Sequence, residues 1–142
     1  MDAERARAIL LKLPHVVETM QWGDNLVFWV GDKAIGGKMF ALVNLSADAQ
    51  GAVSFAAGPE RFAELVEREG FKPAPYFARA HWVAAEHWDA VRQSEWQELF
   101  ANAHGIVHAK LTKRTRETFA LSVAQQKKLV AEARKKAAAK AG

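Results

Sequence analysis

A chain of 142 residues, half of them apolar and a quarter charged, has the length and composition of one globular domain with a single sizeable core, not of a disordered chain. Zero cysteines exclude disulfides and thiolate metal sites, and no apolar run approaches the roughly 20 residues of a membrane span. The net charge of +4 is unevenly spread: residues 108–142 hold ten Lys/Arg against two Glu, a net +8, and residues 1–107 hold ten against fourteen acids, a net −4. A basic C-terminal arm on a mildly acidic body points to a polyanionic partner.

The opening Met1-Asp2-Ala3-Glu4-Arg5-Ala6-Arg7 lacks the apolar core of a secretory leader, so a cytoplasmic, bacterial-type protein without a membrane partner is expected. Asp2 is placed to cap a first helix reaching about Lys12, with Ala6, Ile9, Leu10 and Leu13 as its stripe and Pro14 as its stop. Val16–Trp22 sets Val16, Glu18, Met20 and Trp22 against Val17, Thr19 and Gln21, a strand pattern. Gly23-Asp24-Asn25 turns the chain. Leu26–Val30 is a continuous apolar run suited to a strand covered on both faces. After Gly31-Asp32, Ile35–Leu45 returns as a third strand. Met39, Ala41, Val43 and Leu45 share one of its faces; Lys38, Phe40, Leu42 and Asn44 share the other. Gly36-Gly37 marks a bulge or a close backbone approach. Ser46–Gly51 is a loop and Ala52–Ala56 a short strand.

Gly58-Pro59 opens a second helix with the stripe Phe62, Leu65 and Val66, and Gly70 ends it. Phe71–Ala80 reads as an irregular, proline-containing connection and Ala80–Glu86 as the last strand. From Ser94, a helical period runs through Trp96, Leu99, Phe100, Ala103, Val107 and Leu111. Ser94 with Gln97 fits a capping box, and Gly105 is a candidate break into two helices. Ser122 with Gln125 repeats the capping pattern before Val123–Lys140, rich in the helix formers Ala and Lys. Strands joined by short turns, without regular strand–helix alternation, predict an α+β fold. The expectation is a single α+β domain over residues 1–121, with a twisted, mostly antiparallel sheet of about five strands and helices packed on it. Its order is α-β-β-β-β-α-β-α-α, and a basic helical tail follows over residues 122–142.

No catalytic constellation stands out. Gly31–Met39 superficially resembles a phosphate loop, but Asp32 occupies the place of its first Gly and Met39 that of its magnesium-binding hydroxyl. His81 and His87, on one strand, would stand about 20 Å apart, too far to share an ion. His104 and His108 have the i, i+4 spacing of two helical zinc ligands, yet no carboxylate in that segment supplies a third. Ser46, Ser54, Ser94 and Ser122 occupy no nucleophile elbow. Glu86 and Asp89 read as ordinary solvent-facing residues. The chain is therefore expected to be no enzyme, with no cofactor, no metal and no small-molecule substrate.

Tyr76–Trp82 is richer. It joins Tyr76, Phe77, Arg79, His81 and Trp82 in one proline-stiffened connection and the strand it feeds. Arg bridges phosphates or stacks on bases, and Tyr, His and Trp offer flat faces, a mixture suited to nucleic acid. The alternative is that Phe77 and Trp82 fill the core while Arg79 pairs with an acid. The basic arm adds Lys110, Lys113, Arg114, Arg116, Lys127, Lys128, Arg134, Lys135, Lys136 and Lys140. Each such residue neutralising a duplex phosphate releases about one counterion, giving affinity without sequence choice; the alternative is a solvated helix with a fraying end.

Two segments carry a family resemblance: Gly31-Asp32-Lys33-Ala34-Ile35-Gly36-Gly37-Lys38-Met39-Phe40-Ala41, and Pro73-Ala74-Pro75-Tyr76-Phe77-Ala78-Arg79-Ala80-His81-Trp82-Val83. With Glu18–Gly23, Leu26–Val30, Pro59–Glu69 and Val107–Leu111, their order and spacing resemble the MmcQ/YjbR family over roughly residues 1–117. The resemblance implies a compact α+β domain with hairpins likened to a double wing, and a DNA-binding role. By position, Lys38, Tyr76, Arg79, His81 and Trp82 match residues that recur in the family.

Wing tips that contact phosphates should be basic. Here Ser46–Gly51 contains Asp48 and no Lys or Arg, and Gly31–Lys33 has one acid and one base. The expected interface is therefore Lys38, Tyr76, Arg79, His81 and Trp82 with Lys110, Lys113, Arg114, Arg116, Lys127 and Lys128. The competing expectation is a protein-interaction or homodimerisation module using an exposed sheet face, with Phe40 and Leu42 adding apolar surface beyond what one helical layer covers.

Overall fold

A computed structural model of the chain describes residues 1–46, 52–75 and 77–141. Eleven helices and strands run α1 (Ala3–Leu11), β1 (Val16–Gln21), β2 (Asn25–Val30), β3 (Lys38–Asn44), β4 (Val53–Ala56), α2 (Pro59–Val66), β5 (Phe71–Pro73), β6 (Trp82–Ala85), α3 (Gln93–Lys110), α4 (Lys113–Thr118) and α5 (Val123–Ala141). The six strands form one antiparallel sheet in the order β1-β2-β3-β4-β6-β5. The α+β expectation holds, with one strand more than expected.

That strand is β5. Phe71–Pro73 lies within the stretch read as irregular, and it pairs with β6 at the sheet's edge. An edge place tolerates Pro73, which has no N–H to give a ladder. Asp2 caps α1 as expected, accepting from the Arg5 N–H at 2.8 Å. Ser122 and Gln125 likewise cap the start of α5.

Other boundaries differ. β1 stops at Gln21 and β3 starts only at Lys38, because a 3-10 turn, Lys33–Ile35, occupies the predicted start of β3. α2 ends at Val66, four residues before Gly70. α3 begins at Gln93, so Ser94 lies inside its first turn and no side chain caps its N-terminus. α3 also runs unbroken through Gly105; the break comes at Leu111 and Thr112, where buried Leu111 anchors the chain and the Thr112 hydroxyl caps α4.

The core lies between the sheet and α1, α2 and α3. Phe28, Phe40, Phe55, Leu65, Trp96 and Phe100 are among its fully buried side chains. Phe55 meets both Trp96 and Phe100 edge-on, giving the contact between β4 and α3 its shape. Phe40 corrects the two-face reading of β3. Phe28 pairs with Ala41 and Trp29 with Met39, so Phe40 is the extra residue of a β-bulge. The bulge turns Phe40 inward, where it is fully buried, and the apolar surface expected on the opposite face loses its largest member.

The twin glycines mark the close approach. A Cβ on Gly37 would stand 1.9 Å from the Gly31 carbonyl oxygen, and one on Gly36 2.2 Å from Thr115 Oγ1. Thr115, in turn, donates from Oγ1 to the Ile35 carbonyl at 2.9 Å, which fastens α4 to the Lys33–Ile35 turn. No helix among the described residues is long and apolar enough to cross a membrane.

Candidate nucleic-acid interface

Strand register decides which side chains can meet. Ala41 pairs with Phe55, and Phe55 with Val83, so β3 and β6 run parallel to each other with β4 between them. They stand roughly 10 Å apart at the usual strand spacing. Lys38 opens β3 and Arg79 precedes β6, which opens at Trp82, so both stand at the end of the sheet where these two strands begin. Sequence positions some forty residues apart are thus brought to one end of the sheet. Arg79 lies there in a second 3-10 turn, Ala78–Ala80, which leads into β6.

The same end holds the end of β2 and the Lys33–Ile35 turn, on which α4 is fastened. Lys113, Arg114 and Arg116 therefore belong to it, with Lys110 at the end of α3 just before. All six cations, and Lys127 and Lys128 on α5, are exposed. Among them and within the described residues, Lys113 alone has an ion pair, a long one of 4.0 Å to Glu117. Three acids of the body pair with other cations: Glu18 with Arg7, Glu95 with Arg68, Glu98 with Arg61.

The aromatic members of the expected set fare differently. Trp82 is only 5 % exposed and packs against Phe77 at 5.3 Å between ring centroids. Its indole belongs to the core, which removes it from the side chains a partner can reach. His81 is half-buried, holds φ +60°, and meets Phe62 edge-on. Tyr76 and the loop residues 47–51, Asp48 among them, lie outside the described residues.

His104 and His108 are arranged for packing. Their rings stack at 6.1 Å, and His104 Nε2 donates to the Pro14 carbonyl at 2.7 Å. Burial pushes the His104 pKa down; the Pro14 bond opposes this, and neighbouring His108 and His15 add to it. Phe119 completes a row of rings, stacked on His15 at 4.2 Å and on His108 at 6.0 Å. Among the described residues no three His, Cys, Asp or Glu side chains gather as a metal set.

The sequence reading missed two contacts of the arm. Arg134 on α5 donates to Asp32 at 3.1 Å, and Arg114 on α4 shares a cleft of about 390 Å3 with Lys136 and Glu132 on α5. Neither has a local sequence signal, since each joins residues far apart on separate elements. Val123 on α5 is 69 % exposed; on the sheet, Trp22 is 61 % exposed, Met20 56 % and Leu45 45 %. These three stand at the opposite end of the sheet, where β1 turns into β2 and the Leu45 N–H bonds the Asp24 carbonyl.

The family model described as YjbR matches residues 11–106, most of the chain, and the protein belongs to that family. A solved structure is similar over nearly its whole length: the Deinococcus radiodurans protein DR2400, with a domain described as DUF419. It is 27 % identical, covers 85 % of this chain and 89 % of its own, and has a TM-score of 0.72. No curated protein matches the chain.

Proposed function

We propose that this is a non-enzymatic DNA-binding protein of the bacterial cytoplasm, held to the phosphate backbone by charge and weakly selective for sequence. The carrying observation is the convergence of Lys38, Arg79, Lys110, Lys113, Arg114 and Arg116 on one end of the sheet, with Lys113 alone of the six in an ion pair among the described residues. Exposed, unpaired cations keep their counterion atmosphere to release, so affinity rises steeply as salt falls. The hairpin end, with Asp24 and no cation among its described residues 20–25 and 44–46, plays no part in phosphate binding.

Fluorescence anisotropy with a short labelled duplex at several salt concentrations tests this. Exchanging Arg114 and Arg116 for Gln should lower the salt slope by about 2, since each phosphate contact contributes roughly 0.9. Failure to bind duplex DNA even near 50 mM salt overturns the reading.

A second reading rests on a different observation. Trp22, Met20 and Leu45 form an exposed apolar end, with Asp24 its one charge among the described residues 20–25 and 44–46, that suits a protein partner, including a second copy of this chain. Sedimentation across a wide concentration range decides the homodimer version. A monomer throughout removes it; a dimer that Trp22→Ser dissociates supports it.

A further inference from the structure

The helix α5 is long and poorly seated. It has 19 residues, and none is buried. Gln126, Leu129, Val130 and Ala133 are half-buried and fall at i, i+3, i+4 and i+7, one narrow stripe turned to the body. Its remaining surface is exposed and carries Lys127, Lys128, Arg134, Lys135, Lys136 and Lys140. Here hollows flank the seat on three sides. One of about 440 Å3 lies between Val130 and His15, one of about 500 Å3 between Ala137 and Trp29, and one of about 390 Å3 between Leu129 and Arg114.

One ion pair stands out in this seat. Arg134 Nη2 donates to Asp32 Oδ2, while Asp32 Oδ1 accepts from the Ala34 N–H at 2.8 Å. The carboxylate side chain is 17 % exposed but the Arg134 side chain is 68 % exposed, so water and ions reach the pair from the arginine side. A phosphate offers a guanidinium the same paired oxygens that a carboxylate does. It reaches an arginine so open without disturbing the body.

We propose that α5 is a detachable arm, exchanging between a docked position on the Lys33–Ile35 turn and a released one, and that polyanion phosphates compete with Asp32 for Arg134. Docked, the arm spends Arg134 on an internal carboxylate. Released, it presents all of its cations to a strand of phosphates. The competition rests on the nucleic-acid reading; the exchange does not.

The chain has no cysteine, so Lys12→Cys and Lys140→Cys in the full-length protein place spin labels on α1's exposed end and on the arm alone. Pulsed electron resonance should give a narrow docked distance and a broad released one. Asp32→Asn keeps the acceptor for the Ala34 N–H but loses the charge, and should raise the released-to-docked ratio about threefold, as loss of an exposed pair does. Arg134→Gln removes the same pair from the other side and should do likewise, which guards against a folding defect at Asp32. A single narrow distance unmoved by both variants overturns the exchange. A short DNA duplex added to the labelled protein should raise the ratio further. Duplex that binds without changing the ratio overturns the competition, whereas duplex that does not bind overturns the nucleic-acid reading as well and leaves the variant-driven shift as support for the exchange.

Discussion

Phe40 is the residue on which the sheet's inner face turns. The bulge that places it inward also sets it edge-on to His104, whose ring is held by the Pro14 carbonyl. Phe40→Ala empties a fully buried ring site, and urea unfolding should show a loss of about 3–5 kcal/mol. Gly37→Ala drives a Cβ into the Gly31 carbonyl, backbone that cannot step aside, and should cost at least about 2 kcal/mol in the same measurement. Burial of His104 sets the sign of a pH dependence. Its folded-state pKa lies below the ordinary value of 6.5, so the unfolded chain takes up the proton first. Its contribution is therefore present above about pH 6.5 and is lost as pH falls through the folded-state pKa. Urea midpoints followed downward from neutral pH should fall, and His104→Gln should flatten that fall; an unchanged profile in the variant contradicts the assignment.

Among the elements, α3 shows how far a breaker can be overridden. Gly105 stands in its interior, exposed, with nothing within 4 Å of an added Cβ. Gly105→Ala should stabilise the protein by about 0.5–1 kcal/mol, read as a rise in the urea midpoint. The sequence marked Gly105 as a possible break because glycine weakens a helix locally. It could not show that Ala103, His104 and Val107, buried around it, hold the helix together. Elements with a local cause were legible: the Asp2 and Ser122 caps, the Gly58-Pro59 helix start, the alternation of β1 and the apolar run of β2. Elements with a distant cause were not. β5 has three residues and exists through its pairing with β6, and the bulge at Phe40 is a property of β3 against β2. Lys38 and Arg79 were picked out in the sequence, but their common end of the sheet emerges only from the register of β3, β4 and β6. Trp82 was read both ways, because an indole that stacks on bases and one that fills a core look alike in sequence, and its burial selects the core.

At the scale of the whole molecule, charge and shape are divided. The sheet carries cations at one end and exposed Trp22, Met20 and Leu45 at the other. The family match covers residues 11–106, which leaves α4, α5 and all ten cations of residues 108–142 outside it. On the proposed reading, the body would supply Lys38 and Arg79, and the C-terminal helices most of the attraction to phosphate. The most direct measurement is the salt dependence of duplex binding by the full chain. With six cations engaged, log K should fall against log salt concentration with a slope near −5, about 0.9 for each contact. Affinity that does not change with salt, or no affinity at low salt, would contradict the account.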